Sequence, residues 1–495
     1  MIQLNNIEKL TKEDIPKLVE LVKPELDKRK KLYARYKRKN SDVEIIHENK
    51  SVTVPFEKYI VDIASGYLGG KEPSYEVEKK DEKEVGLIKK ILNKILSKGS
   101  SVEEMQAVIN YITRYNDDGA EHYQLVKDIL SVGACYEILY ENEDNEIVYS
   151  RLNPLQTIAI WDYSVPRNLI GLVSMHSEKD INNKLTYVIK LIDNEGTRVY
   201  RGSGSEYEEE DIGEDGKKKQ PHNWKDVPAD VVEIPDGTSL FEPVLDLIDA
   251  YQELVKDTKE TFSYNNDAKL KITGYRPEEE LLIKDEKTGQ LVENKVRVEQ
   301  DKAILNAKIF YTPDDGDIEW IEKTINDSAI QNTLKTYIDL IMMNTGVPQT
   351  TDLGFTKADN ASAIDRKFFS LEQMTTQAMQ LLTMAYKRRW ELVFDRINLT
   401  SKSKYDFRDV NITLNKNLPA NENEVVEMYM KLRGLISDET IISRLPLNLD
   451  ATSEEEKMQQ QDENELNKEV AKAEAFNKVD GNEKNNKENK DKFTK

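Results

Sequence analysis

Residues 360–398 read NASAIDRKFFSLEQMTTQAMQLLTMAYKRRWELVFDRIN. Ile364, Phe368, Leu371, Met374, Ala378, Leu381, Leu382, Ala385 and Val393 recur at helical spacing. The spacing predicts one helix of roughly 55–60 Å at 1.5 Å per residue, far beyond the usual three or four turns. Helices of that length belong to fibres, bundles or large rings. Two more long periodic runs precede it. Residues 238–264 carry Leu240, Val244, Leu247, Ile248, Tyr251, Leu254 and Val255, and residues 323–344 carry Ile325, Ile330, Leu334, Ile338 and Ile341. Between these two lies 265–322, where strand-like pieces at 269–274, 290–298 and 303–311 alternate with acidic turns. Between the second and third lies a short loop, 346–359.

Towards the N-terminus the chain reads as helices first and strands second. Residues 11–40 form a helix with a strongly basic end (27–39), in which Leu32 and Tyr36 make an apolar stripe among cations. Pro16 sits near its start, and Pro24 suggests a break or a second start. A solvated helix face and contact with nucleic acid or an acidic partner are both open for the basic run. Residues 54–64 open another helix, closed by Gly69-Gly70, and helices follow at 82–97, 101–115 and 121–131. Ser101 and Glu104 have capping-box spacing. Short β-branched or aromatic pieces at 134–140, 146–152, 157–161, 169–176, 185–193 and 197–201 predict a meander of antiparallel strands. Residues 202–223 read as a polar, mobile loop without core candidates. The class is α+β. After 398 come a strand (406–414), helices at 421–432 and 437–443, and a segment 453–476. Residues 477–495 are almost wholly Lys, Glu, Asp and Asn, a composition that stays disordered.

The 495-residue chain carries 92 acidic and 71 basic residues, a net charge of −21, with 38% hydrophobic and 33% charged residues. That favours a polar, extended subunit that buries its remaining apolar surface against neighbours. It disfavours a broad nucleic-acid grip, which needs clustered Lys and Arg to displace counterions. Local basic residues leave room for DNA contact. The single Cys135 excludes an internal disulfide and fits a reducing compartment as a buried thiol. No signal peptide and no apolar span of the roughly 20 residues that cross a bilayer is present, so a soluble intracellular protein is expected.

Enzyme signatures are missing. Gly69-Gly70-Lys71 runs into Glu72 and lacks the upstream glycine of a phosphate-cradling loop, so ATP hydrolysis is not expected. No nucleophile elbow, zinc-helix motif or dinucleotide fingerprint occurs. His47, His122, His176 and His222 are scattered without a Cys set for zinc. The acidic runs 206–211 and 314–317 lack calcium-loop spacing and read as solvated turns more readily than as cation sites. No catalytic residue, cofactor or metal is expected.

Two markers carry a family resemblance. One is Val52-Thr-Val-Pro-Phe-Glu-Lys-Tyr-Ile-Val-Asp-Ile-Ala-Ser-Gly-Tyr-Leu-Gly-Gly-Lys71, and the other is Gly346-Val347-Pro348 with Gly354-Phe355 and Asn360-Ala361-Ser362-Ala363. Together they resemble the portal proteins of siphophages infecting Gram-positive bacteria, over about 54–449. Glu72 stands where many relatives place a proline, here shifted to Pro73. The resemblance implies an elongated portal-protein fold with wing, long-helix stem, small α/β clip and helical crown, assembled as a dodecameric ring. By position it implies an N-terminal helical segment (1–39), wing (40–237), stem helices (238–264 and 323–345), clip (265–322) and tunnel loop (346–359). A long helix and return strand of the wing (360–418), a crown (419–476) and a disordered tail (477–495) follow.

The implied function is a channel at one capsid vertex of the virion, assembled in the host cytoplasm, for packaging and ejection of double-stranded DNA. Implied partners are the terminase large subunit, a head–tail adaptor, and the major capsid and scaffolding proteins, with no membrane. The tunnel loop is the expected place of DNA contact, with Gly346 and Gly354 for bending and Pro348 for stiffness. Lys357 would offer one cation per subunit or an intersubunit ion pair, while Val347, Thr350 and Thr351 complete the loop. A different head–tail adaptor or capsid component is the alternative, and a packaging enzyme would need the missing nucleotide loop.

Overall fold

A continuous helix, α1 (Ile15–Lys37), buries Ile15, Leu18, Val22, Leu26, Arg29, Leu32 and Tyr36 along one stripe. Pro24 does not interrupt it. Pro24 and Glu20, whose carbonyl loses its helical donor, both lie on the exposed side, where water can take the lost bond. The computed structural model describes residues 2–37, 54–77, 102–179, 181, 185–212, 216–266, 269–273, 280–284, 290–306, 315–321, 326–349, 361–401, 403–417 and 431. The helices expected at 82–97, 421–432 and 437–443, Ser101 of the capping pair, and the 477–495 tail lie outside the described residues.

Helices α2 (Phe56–Gly69), α3 (Val102–Tyr115) and α4 (Asp118–Val132) fall where the sequence places them. Gly133 stops α4 in the left-handed conformation, φ 76°, its N–H returning to the Ile129 carbonyl at 2.8 Å. The strand region is two sheets and not one meander. The larger has the order β1-β5-β6-β7-β8-β10, with β9 paired to β8. Its members are β1 (Ile2–Gln3), β5 (Thr157–Trp161), β6 (Leu169–Lys179), β7 (Leu185–Ile192), β8 (Gly196–Gly202), β9 (Tyr207–Glu209) and β10 (Lys219–Pro221). β1, which the sequence reading places in a helical segment, runs parallel to β5. The smaller sheet has the order β11-β3-β4, formed by β3 (Ala134–Glu141), β4 (Ile147–Leu152) and β11 (Ala229–Glu233). A two-stranded pair joins β2 (Ser74–Val77) to β16 (Val410–Thr413).

Two cores follow. Ile15, Leu18, Val22 and Leu26 of α1 pack on Ile158, Ile160, Val173, Ile189 and Leu191 of the larger sheet. Each such side chain contributes roughly 1.5–3 kcal/mol when fully buried. The second core, with Ala134, Tyr136, Leu172 and Ile192, lies between the sheets. Residues 202–223 depart from their reading as a coreless loop. They supply β9 and β10, and Tyr207 is buried in the first core.

The first long helix, α5 (Leu245–Asn266), starts later than its periodicity suggests. Pro243 and a reciprocal cap hold the preceding turn (Glu242–Val244) in 3-10 form. The Glu242 N–H donates to Ser239 Oγ at 3.1 Å, and the Ser239 N–H donates to Glu242 Oε2 at 3.3 Å. The second long helix, α7 (Asp327–Thr345), opens on Asn326, whose side chain accepts from the Ala329 N–H at 3.1 Å. Between them, β12 (Lys269–Thr273) pairs antiparallel with β15 (Asp317–Ile321), closing the base of the insertion. Within it, β13 (Leu282–Lys284) pairs with β14 (Leu291–Glu293). Residues 295–306 form helix α6 (Lys295–Asn306) where strand was expected in the later part of 290–298 and from 303; strand is kept at 291–293, and 307–311 lie outside the described residues. Asn294 initiates it, accepting from the Val296 N–H at 3.1 Å, and Val296 and Val298 made the run look β-like.

The longest helix, α8 (Ala361–Thr400), has 40 residues. Two compact units are distinguished: Met1–Pro348 with Ser370–Lys416, and Gln349–Phe369 with Asn417–Lys495. All packing described here lies in the first.

Candidate functional site: the root of the 346–359 segment

Helix α7 ends because Gly346 adopts φ 70°, its N–H returning to the Met342 carbonyl at 2.9 Å. A Cβ at this position would meet the Leu371 backbone nitrogen and the Ser370 carbonyl carbon, each at 2.7 Å. Glycine is therefore required twice, for the left-handed turn and for the close approach of α7 to the α8 backbone. Val347 follows at 1% exposure. The Pro348 carbonyl then accepts the Tyr59 hydroxyl at 3.0 Å. Tyr59 belongs to α2, and α2 also seats on α5: Phe56 meets Tyr251 edge-to-face at 4.9 Å, and Gln252 donates to the Val54 carbonyl at 3.4 Å. The two markers quoted from the sequence, almost 300 positions apart, thus meet in space.

Of the candidate loop residues, Gly346, Val347 and Pro348 form this anchored root. Thr350, Thr351, Gly354 and Lys357 lie outside the described residues. Next to the root on α8, Glu372 is held below the usual carboxylate range. Burial pushes it up, but hydrogen bonds from Lys416 and Tyr67 outweigh that.

Three cations of the basic run after residue 27 are engaged by the fold, while Lys30, Lys31 and Lys37 stay exposed. Arg29, 2% exposed, donates to the Tyr136 hydroxyl at 2.6 Å and the Thr157 carbonyl at 3.1 Å, and reaches Glu233 at 3.3 Å. Arg35 pairs with Glu57 and Asp249, and Lys28 with Glu242. Position 29 is three residues before Leu32, on the stripe the sequence already showed. That signal could have identified it.

A second arginine sits on the other face of the small sheet. Arg389 of α8 forks onto Glu137 at 2.7 and 2.9 Å and reaches Asp118 at 2.6 Å, between the rings of Tyr149 and Tyr386, each 4.2 Å away. No composition or motif argument pointed to it. His122 is fully buried, its Nδ1 2.7 Å from the Tyr386 hydroxyl, and burial lowers its pKa to about 4. It is neutral at pH 7. The acidic run at 206–211 is engaged by cations: Glu208 by Lys12, Glu209 by Lys218, Glu210 by Arg201. Cys135 is buried, as read. Among the described residues no group of three or more His, Cys, Asp or Glu could hold a metal, and no helix is long and apolar enough to cross a membrane.

Comparison with known proteins gives one family. The family described as "Phage portal protein, SPP1 Gp6-like" matches residues 20–468. Solved structures align with the chain as well, among them two necks of a particle. "Neck of empty GTA particle computed with C6 symmetry" is 11% identical over 80% of this chain and 91% of that one, with a TM-score of 0.40. "Neck of native GTA particle computed with C12 symmetry" is 12% identical over 80% and 90%, also with a TM-score of 0.40. No curated protein matches.

Proposed function

Because the chain belongs to the SPP1 Gp6-like phage portal protein family, we propose that it forms the ring-shaped channel at one capsid vertex through which double-stranded DNA is packaged and ejected. The family is structural and not enzymatic. The observation that carries the reading is the match across 20–468, and the insertion between two long helices supports its assignment of parts. In this reading α5 and α7 are the stem, the insertion between them is the clip, and 346–359 is the tunnel loop. Residues 40–237 with 360–418 form the wing, and 419–476 the crown.

Unsatisfied apolar surface supports assembly. Leu254, Val255, Ile330, Leu334 and Ile338, on the facing stripes of the stem helices, stay half-exposed. Leu281, Leu282, Ile283, Leu291, Val292 and Val296 of the insertion are exposed. In a ring such surface is covered by neighbouring subunits or by docked partners. We assign a dodecamer in the virion of a phage of Gram-positive hosts, with the terminase large subunit and later a head–tail adaptor on the clip. The capsid and scaffolding proteins surround the wing. Motor activity belongs to the terminase, since the chain carries no phosphate loop. Negative-stain electron microscopy of the purified protein tests this. Rings of about a dozen wedges around an axial hole, the closed cyclic assembly that this reading implies, are expected, whereas monomers or closed shells would sink it.

A further inference from the structure

The small sheet buries three carboxylates against one guanidinium. Asp118, Glu137 and Asp230 are each at most 4% exposed, and Arg389 is fully buried. Glu137 on β3 and Asp230 on β11 are direct register partners in antiparallel strands. Two like charges placed directly opposite destabilise a sheet. Their surroundings differ sharply. Glu137 receives both fork bonds from Arg389, and Asp118 receives bonds from Tyr75 at 2.9 Å, Tyr149 at 2.8 Å and Arg389 at 2.6 Å. Asp230 receives no hydrogen bond on either oxygen. Its 3.5 Å contact with Arg389 Nε is long, because that N–H is committed to Glu137.

We propose that Glu137 and Asp230 hold one proton between them, and that this proton operates a pH-sensitive clamp between the small sheet and α8. An ionised buried acid without donors is costly unless it takes up a proton. The charged and titratable groups facing the pair are few. Arg389, Arg388 and Tyr386 come from α8, Asp118 from α4, Tyr75 from β2, Tyr149 from β4 and Cys135 from β3. Arg388 is already bonded to Asp226 and to the Ala229 and Val227 carbonyls. Asp230 is accordingly raised, by burial first, from its ordinary value to about 7.

The sign follows from linkage. In the unfolded chain the Asp230 carboxyl ionises near pH 4. The native state retains a proton that the unfolded state has lost between about pH 4 and about pH 7. The clamp therefore contributes fully below about pH 4, and its contribution is lost as pH rises through about 7. Its structural reach extends to the first long helix. β11 continues through residues 234–244 into α5, and this connection is pinned by Ile234 N–H to Gly133 O at 2.9 Å and Leu240 N–H to Leu130 O at 2.9 Å. Releasing β11 loosens the base of α5.

Hydrogen exchange on the intact, assembled protein tests the clamp at about pH 6 and about pH 8, with rates corrected for intrinsic chemistry. Amides of β11 and of residues 385–393 should exchange several-fold faster at the higher pH in the wild type. In Asp230→Asn, whose amide can donate to Glu137 as the protonated acid does, they should exchange equally at both. Equal wild-type protection at the two pH values, or an unchanged pH response in the variant, overturns the proposal. Infrared titration of wild-type protein labelled at aspartate and glutamate carboxyls needs no variant. A buried protonated-carboxyl band should disappear between the same two pH values, and absence of that band at the lower one overturns it as well.

Discussion

Arg29 and Arg389 divide the small sheet between them. Alternation along β3 and β11 turns Tyr136 and Glu233 to Arg29, and Glu137 and Asp230 to Arg389. Removing one partner from such a buried network strands the others, at a cost of about 3–5 kcal/mol. Arg389→Met should therefore destabilise by that order in denaturant unfolding. Arg389→Lys should not restore stability, because an ammonium cannot fork onto Glu137 while reaching Asp118. A variant as stable as wild type would show that the cluster is not integral to the fold. Gly346→Ala should cost more than about 1 kcal/mol, since φ is positive and the new Cβ meets backbone at 2.7 Å. A melting temperature within error of wild type would contradict the close α7–α8 approach. Neither arginine was evident as a buried charge from sequence. Charge counting treats each cation as solvated, and only the position of Arg29 on the Leu32–Tyr36 stripe hinted otherwise. Asp230 was less legible still, because its partner lies 93 positions away across a strand pair.

At the scale of elements, periodic helices and caps were legible, and strand partners were not. The periods of α5, α7 and α8 stand in the sequence because their apolar residues recur at helical spacing, although along α5 and α7 much of that stripe stays half-exposed. The split of the strands into two sheets depends on β11, which follows a polar stretch and pairs back to β3. α6 was read as strand because two valines outweighed the capping Asn294. The end of α7 at Gly346 was legible, and the structure refines where the segment after it can be cut. Gly346, Val347 and Pro348 pack on α8 and α2, so deleting all of 346–359 would disturb that packing as well as the segment beyond it. Deleting 350–359 alone, bridged by a short flexible linker, should leave rings assembled in electron micrographs and block DNA packaging in phage carrying it. Normal packaging by that deletion would refute the assignment of the segment to DNA contact. Asn326→Ala should lower stability by about 1 kcal/mol through loss of the α7 cap, read by thermal melting of the assembled protein.

For the whole molecule the deciding quantity is charge. A net charge of −21 was legible from composition, and pairing within the fold leaves it unchanged, because each ion pair takes up one charge of either sign. Arg29, Arg35, Arg389 and Arg396 pair with carboxylates of the fold, while Lys30, Lys31 and Lys37 of the basic run stay exposed. If the wall of the proposed channel shares this acidic excess, it repels phosphates, and a duplex can slide without accumulating contacts. Purified rings should therefore bind linear duplex DNA weakly, with affinity measured by fluorescence anisotropy changing little with salt. A protein that instead neutralised six to ten phosphates would lose roughly 10³–10⁵-fold in affinity between about 50 and 200 mM salt. A steep loss of that kind would mean that a basic surface, outside the residues seen here to be paired, grips DNA, and that passage is held by contact and not by repulsion.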